Sequence, residues 1–477
     1  MAFLYDDPEH GLRDFNEEFF TDSWLIDQFT GETLWSWGYN YFGQLGLGDT
    51  IDRSSPTQVG SLTNWKSVIG GENHTLAIKT DNSLWSWGRN DYAQLSLGDT
   101  VNRSSPTQVG TLTNWKLVVG GWDHTLALKT DNSLWSWGDN YYGFLGLGDT
   151  VSRSSPTQVG SLTNWKTVVG GGYHTLALKT DNSLWSWGYN TIGALGLGDI
   201  VARSSPVQIG SLTDWKLVVA GGYHTLALKT DNSLWSWGHN YYGSLGLGDI
   251  VARSSPTQVG SLTNWKLVVA GYYHTLALKT DNSLWSWGYN NSGQLGLGDT
   301  VQRSSPTQIG SLTNWKSVTG GFYHTLALKT DLSLWSWGDN TDGTLGLGDI
   351  VARSSPTQVG SLTNWKLVVS GGYHTLALKT DLSLWSWGNN YYGALGLGDT
   401  VHRSSPTQIG SLTNWKSFVG GVYHTLALKT DNSLWSWGYN TDGALGVGDI
   451  VHRSSPVQVG SLMDLKLLLS NSGLTVD

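Results

Sequence analysis

Hydrophobic and polar residues alternate in short runs along this chain, and the runs return in the same order every fifty residues. In one such unit Lys116 to Gly120, His124 to Thr130, Leu134 to Gly138 and Pro156 to Gly160 are β-type runs bounded by Gly, Asn, Asp and Ser. We label them A, B, C and D. In B, Thr125, Ala127 and Lys129 oppose Leu126 and Leu128; in C, Trp135 and Trp137 share one side. This period of two predicts strands with two different faces. Asp131-Asn132-Ser133 predicts a tight turn from B to C, and Pro156, which has no N–H to donate, predicts that D lies at the edge of its sheet.

The unit fills the chain from Trp24 to Gly473 nine times, with Leu-Trp-Ser-Trp-Gly recurring from Leu34 to Gly438 and Arg-Ser-Ser-Pro from Arg53 to Pro456. A sheet with tryptophan on one side and leucine on the other must pack between neighbours. The expected fold is all-β: a single closed β-propeller of nine four-stranded antiparallel blades. The chain enters at a B-type run, Trp24 to Phe29, and ends after an A-type run, Lys466 to Ser470, so the C-terminal strand is expected to complete the first blade. The domain reading is an acidic N-terminal arm, residues 1–23, followed by the propeller, residues 24–477.

Within a unit, Trp135-Ser136-Trp137-Gly138, Asn140, Gly143, Leu145-Gly146, Gly148, Pro156, Val159, Val168, Gly170-Gly171, His174-Thr175 and Leu178 together resemble the regulator of chromosome condensation repeat. That resemblance implies a propeller built from this unit. The family's namesake has seven blades of longer repeats, binds chromatin through basic surfaces and promotes nucleotide exchange on a small GTPase. Here the units are shorter and nearly uniform, the arm is acidic, and no long insertion supplies an exchange wedge. Chromatin binding and nucleotide exchange are therefore not expected to carry over, and fold alone is a weak guide to function.

Net charge is −9, and its placement says more than its sum. Nine acids stand against Arg13 between Asp6 and Glu32; Asp52, Glu72, Asp91, Asp123, Asp139, Asp339, Asp342 and Asp442 occupy positions that vary between units, with Arg89 as the one base. Acidic surface of this kind disfavours nucleic acid and anionic membrane as partners. There is no cysteine, no secretory-type leader and no run of ~20 apolar residues, so a soluble, unprocessed chain is expected, with its compartment open.

Candidate chemistry is repetitive rather than unique. Eight histidines, His74 to His424, open the B runs, and a ring of equivalents is expected to be structural. Gly-Leu-Gly-Asp, as at Gly46 to Asp49, lacks the ending of a phosphate loop and predicts a turn. Asp49 and Arg53 predict an ion pair within or between blades. Neither an enzyme nor a cofactor or metal site is expected.

Comparing the units with each other isolates the positions that change: the A to B turn and the start of the C to D loop. In an up-and-down blade both emerge on the same side. Nineteen of the 20 tyrosines occupy these positions. Tyrosine gives large amphipathic contact area at small entropic cost. The candidate partner-binding residues are Tyr39, Tyr41, Phe42, Tyr92, Tyr141, Tyr142, Tyr241, Tyr242, Tyr391 and Tyr392; the regularly recurring Tyr173, Tyr223, Tyr273, Tyr323, Tyr373 and Tyr423 are expected to cap blade ends or line the channel. In the arm, Asp7-Pro8 followed by Leu12, Phe15 and Phe19 predicts a short helix that docks on the ring or tethers it to a larger assembly. The expected function is a non-enzymatic scaffold presenting a tyrosine-rich acidic face to a protein partner, as in a phage or virus tail or attachment component. The alternatives are a multivalent glycan-binding propeller and an exchange factor for a small GTPase.

Overall fold

A computed structural model describes residues 33–460, apart from 72, 122, 171–173, 221–223, 271–272 and 321–322. The expected arm, the B-type run Trp24 to Phe29 and the A-type run Lys466 to Ser470 lie outside the described residues. Within them stand eight four-stranded antiparallel sheets and a two-stranded one, Trp35–Gly38 paired with Arg53–Gln58. In the second blade the order is A (Trp65–Gly70), B (His74–Lys79), C (Leu84–Gly88) and D (Arg103–Gln108).

Register explains the two faces of each blade. Thr75 pairs with Trp87 and Ala77 with Trp85 on one face; Leu76 pairs with Ser86 and Ile78 with Leu84 on the other. Small residues opposite each indole leave room for the ring. The leucine face of one blade then meets the tryptophan face of the next: Leu76, Ile78, Leu84 and Val109 pack with Trp115, Val118, Ala127 and Trp137. The same arrangement recurs around the ring. Of the two strand C tryptophans, Trp87 and its equivalents through Trp437 are buried, whereas Trp85 and its equivalents are half-buried under a lysine: Lys79 Nζ lies 3.3 Å from the Trp85 ring centroid and 4.7 Å from that of Trp65.

Three details differ from the sequence reading. Strand A starts one residue before the lysine, at Trp65 and its equivalents, which are buried. Strand D starts three residues before the proline, because Arg103 already pairs with Gly88. The ladder skips from that pair to Thr107–Ser86, and Pro106 falls in the interruption, where no donor is needed. Gly46 to Asp49 is more than a turn. Gly46 and Gly48 have φ of +74° and +92°, and a Cβ on Gly46 would lie 2.7 Å from Trp87 Nε1 of the next blade. A positive φ at this position, held by glycine in every blade but the second, where Ser96 has φ +62°, lets the backbone lie against that indole, and the C to D loop of each blade thereby clasps its neighbour.

Each clasp between consecutive blades has the same bonds. Trp87 Nε1 donates to Gln44 O at 2.9 Å, Thr75 Oγ1 donates to the same oxygen at 3.0 Å, and Gly48 N donates to Ser104 O at 2.7 Å. The loop is held from within by the buried Asn40, whose Oδ1 accepts from Leu45 N at 2.9 Å while its Nδ2 donates to Asp49 O and Ile51 O, each at 3.1 Å. The last blade clasps the first: Trp37 Nε1 donates to Ala444 O at 2.9 Å, and Val419, Leu426, Leu428, Leu434 and Val459 pack with Trp37. The array closes into a ring of nine.

Candidate binding face

Antiparallel order puts the A to B and C to D connections on one face, here the upper, and the B to C and D to A connections on the lower. The lower face is uniform. Its B to C turn holds Asn82 at φ +60°, with Asp81 Oδ1 accepting from Ser83 N at 2.8 Å. Each D to A connection exposes one leucine, from Leu62 to Leu412.

On the upper face the ten candidate residues divide into two groups. Tyr41, Tyr141, Tyr241 and Tyr391 stand out at 58 to 68% exposure, and Tyr39 at 40%. Phe42, Tyr92, Tyr142, Tyr242 and Tyr392 are half-buried, and Phe42, Tyr142, Tyr242 and Tyr392 are wedged towards the following blade. Tyr142 meets Tyr189 at 4.9 Å between centroids, Tyr242 meets Tyr289 at 4.9 Å, and Tyr392 meets Tyr439 at 4.9 Å. At the first joint the wedge is Phe42, and its partner is the Arg89 guanidinium 5.4 Å away, which also lies 5.3 Å from Tyr92 and pairs with Asp91 at 2.9 Å. Where the wedge is acidic the partner changes with it: Asn389 Nδ2 donates to Asp342 Oδ2 at 3.0 Å. Much of the variation between units is thus matched across joints.

The exposed rings sit on these wedges. Tyr41 stacks on Tyr39 and meets Phe42 edge-on at 5.0 Å; Tyr141 meets Tyr142 at 4.6 Å, Tyr241 meets Tyr242 at 4.9 Å, and Tyr391 meets Tyr392 at 5.1 Å. The structure therefore brings the candidates together as separate groups in blades 1 and 2, 3, 5 and 8. What joins the last two groups is a set the sequence reading placed among caps. Tyr273 lies 4.9 Å from Tyr242, Tyr373 stacks on Tyr423 at 5.6 Å, and Tyr423 meets Tyr392 at 5.3 Å. Tyr323 lies between, close enough to Tyr289, Tyr373 and Tyr273 that, after burial, their charges when ionised raise its phenol above the usual range. An arc of tyrosine runs from blade 5 to blade 9. Its signal in the sequence was the topology that puts A to B turns beside C to D loops. Tyr173 and Tyr223 lie outside the described residues.

Burial likewise raises the phenols of Tyr242, with neighbouring tyrosines adding to it, and of Tyr39, with Asp52, Tyr41 and Asp442 adding to it. These groups remain neutral donors at physiological pH, set among carboxylates. Arg53 and Asp49 form the expected ion pair within the loop, repeated at 2.5 Å from Arg103–Asp99 to Arg403–Asp399, and their charges cancel in each blade. What remains of the upper charge among the described residues is Asp52, Asp91, Asp123, Asp139, Asp339, Asp342 and Asp442 against Arg89. The lower face has the opposite balance: each complete blade carries two lysines, such as Lys66 and Lys79, and one aspartate, such as Asp81, with Asp214 as a further acid.

The eight histidines are buried at the start of strand B. A Cβ on Gly71 would lie 2.0 Å from His74 Cε1, so the Gly-Gly turn makes space for the imidazole. Burial pushes these groups down to about 3 at His74 and His374 and to about 4 at the other six. Among the described residues no group of three or more His, Cys, Asp or Glu is placed to hold a metal ion, and no helix is long and apolar enough to cross a membrane.

The sequence model of the regulator of chromosome condensation (RCC1) repeat matches nine times, beginning at residues 32–78 and 81–128 and ending at residues 383–428 and 431–470. The chain belongs to the RCC1 repeat family. A second model of the same repeat matches eight times, from residues 65–94 to residues 415–444. Among solved structures, this RCC1 repeat chain is similar to human WBSCR16 at 22% identity, covering 71% of this chain and 96% of that one, with a TM-score of 0.49. It is similar to Saccharomyces cerevisiae Prp20p, described for its binding to Gsp1p and histones, at 20% identity over 88% and 94% of the two chains (TM-score 0.48). Yeast RCC1 (Prp20) bound to Kap60 matches at 23% identity over 69% and 83% (TM-score 0.47). No match was found among curated proteins.

Proposed function

We propose that this RCC1 repeat propeller is a non-enzymatic protein-binding scaffold whose upper face is the recognition surface. The observation that carries this reading is the tyrosine arc from Tyr241 and Tyr242 to Tyr391 and Tyr392, joined through Tyr273, Tyr323, Tyr373 and Tyr423. Exposed rings held edge-on by half-buried ones are presented at little entropic cost, and Tyr is favoured at interface hot spots. The rigid ring beneath supplies the scaffold on which variable loops carry binding. A protein partner also accords with the protein partners named for Prp20.

The wedge tyrosines hold the joints together, so the test uses the exposed ones. Tyr241→Ala with Tyr391→Ala is expected to leave the thermal midpoint within ~1 °C, since surface substitutions away from packed features change stability by at most ~0.5 kcal/mol. The same variant should lose, by at least tenfold, a partner retained by the intact chain, while Leu262→Ala on the lower face keeps it. Equal retention by both variants would contradict the assignment. Retention of immobilised glycans that survives both changes would favour the multivalent alternative.

A further inference from the structure

The two faces of the disc complement each other in charge and in apolar pattern, and we propose that the upper face of one copy docks on the lower face of a second copy. This rests on the reading of the upper face as a recognition surface and names its occupant. The lower face carries eight exposed lysines, Lys66 to Lys416, on strand A, none of which has a carboxylate within ion-pair distance among the described residues. Lys66 Nζ is satisfied instead by the neutral Asn82 Oδ1 at 2.9 Å, an arrangement repeated at Lys116, Lys166 and Lys216. Together with the lysines under the indoles they outnumber the aspartates of that face. The upper face has the reverse excess, seven carboxylates against Arg89 among the described residues.

The apolar pattern runs in parallel. Every C to D loop ends in an aliphatic tip, from Ile51 at 65% exposure to Val451 at 58%, and Ile200, Ile250, Ile350 and Ile450 double the tip in four blades at 61 to 67%. On the lower face Leu62 and its equivalents through Leu412 are 42 to 46% exposed. The tips are rigid, because the buried Asn accepts and donates within the loop and the Asp–Arg pair spans its base. Their repeated exposure costs solvation in an isolated disc, whereas scattered single apolar residues would need no explanation. The opposite charge balance of the two faces sets the orientation and opposes docking of like faces.

Two different surfaces meeting make a heterologous contact. Copies joined this way stack along the ring axis, and the stack stays open.

Sedimentation velocity of the full chain over a concentration series tests this. At low ionic strength the wild type is expected to show species larger than monomer that grow with concentration, and 0.5 M salt, where the screening length falls to roughly 4 Å, should weaken association at least tenfold. Two variants then separate the faces. The lower-face variant combines Lys116→Glu, Lys166→Glu and Lys216→Glu; the upper-face variant combines Ile200→Lys, Ile250→Lys and Ile350→Lys. Each alone should be monomeric with an unchanged thermal midpoint, and an equimolar mixture should associate again, since the intact upper face of one variant meets the intact lower face of the other. A wild type that stays monomeric throughout the series overturns the proposal, as does either variant still forming multimers, or a mixture that does not associate. If the wild type is monomeric yet Tyr241→Ala with Tyr391→Ala loses a foreign partner, copy-to-copy docking fails while the protein-binding reading stands.

Discussion

Trp37 donates its indole N–H to the carbonyl oxygen of Ala444, 407 residues further along the chain, at 2.9 Å. Between consecutive blades the same bond joins Trp87 to Gln44 and Trp187 to Phe144, each pair 43 residues apart. The seam between the ends of the described array is therefore built like the joints within it. Closure gives every tryptophan face a leucine face to cover it, and it turns nine short sheets into a rigid mount for the loops of one face.

The clasp carries glycine at one position in every blade but the second, where the buried Ser96 stands at φ +62° and the Trp137 to Gln94 bond is kept at 2.9 Å. A Cβ on Gly246, at φ +73°, would lie 2.8 Å from Trp287 Nε1, whereas Gly260, at φ +65°, has nothing within 4 Å. Gly260→Ala should cost only the left-handed backbone penalty, ~1 to 2 kcal/mol. Gly246→Ala should cost that plus displacement of a buried indole, ~3 kcal/mol or more in all. Denaturant midpoints of the two variants check this; equal midpoints would mean that the clasp yields.

Two lower-face turns carry a residue that does not suit them. Leu332 and Leu382 sit at φ +63°, where the other complete blades have Asn at φ +60° to +63°. Asn tolerates this region and Leu does not. Leu332→Asn is expected to stabilise the ring by about 0.5 to 1 kcal/mol, read as a rise in denaturant midpoint.

The strand pattern, the two-faced blades and the ring were legible because each follows from local alternation and an unbroken repeat. C strands fall where the alternation puts them, Leu134–Gly138, and B strands end one residue early at Lys129. The start of strand D was not legible, because pairing of Arg153 with Gly138 depends on an interruption that only the partner strand reveals. Nor was the clasp, since nothing near Gly146 in sequence shows that Trp187 will lie against it. The same limit applies to the candidate face. Sequence separated variable from fixed positions, but only neighbouring blades distinguish the exposed Tyr141 from the wedge Tyr142, or bring Tyr373 and Tyr423 into one arc with Tyr392.

The buried histidines make the ring sensitive to acid. Their folded values, about 3 to 4, lie below the ordinary 6.5, so between those limits the unfolded chain binds protons that the folded chain refuses. Stability is therefore full above pH 6.5, falls as pH drops, and levels once the folded imidazoles protonate near pH 4 to 3. Six of the eight, His74 to His324, have no partner at Nε2 among the described residues that could hold an added proton. Each histidine contributes a slope of roughly 1.4 kcal/mol per pH unit. The carboxylates held low by Arg or Ser, such as Asp49 and Asp81, add a separate loss below their ordinary 3.8. Urea unfolding at pH 7, 6 and 5 should show the decline, and His274→Gln should reduce its slope by about one proton. A flat profile from pH 7 to 5 would contradict the assignment.

Ring closure can be measured directly because the chain has no cysteine, so introduced thiols label alone. Ile51, Val101 and Val451 are equivalent loop tips, 58 to 65% exposed. Spin labels on Ile51→Cys with Val101→Cys report the spacing of neighbouring blades, and labels on Val451→Cys with Ile51→Cys report the seam. Pulsed electron double resonance should give the same distance for both pairs. A longer or broadly distributed seam distance beside a sharp Ile51 to Val101 distance would show an open spiral and contradict the ring.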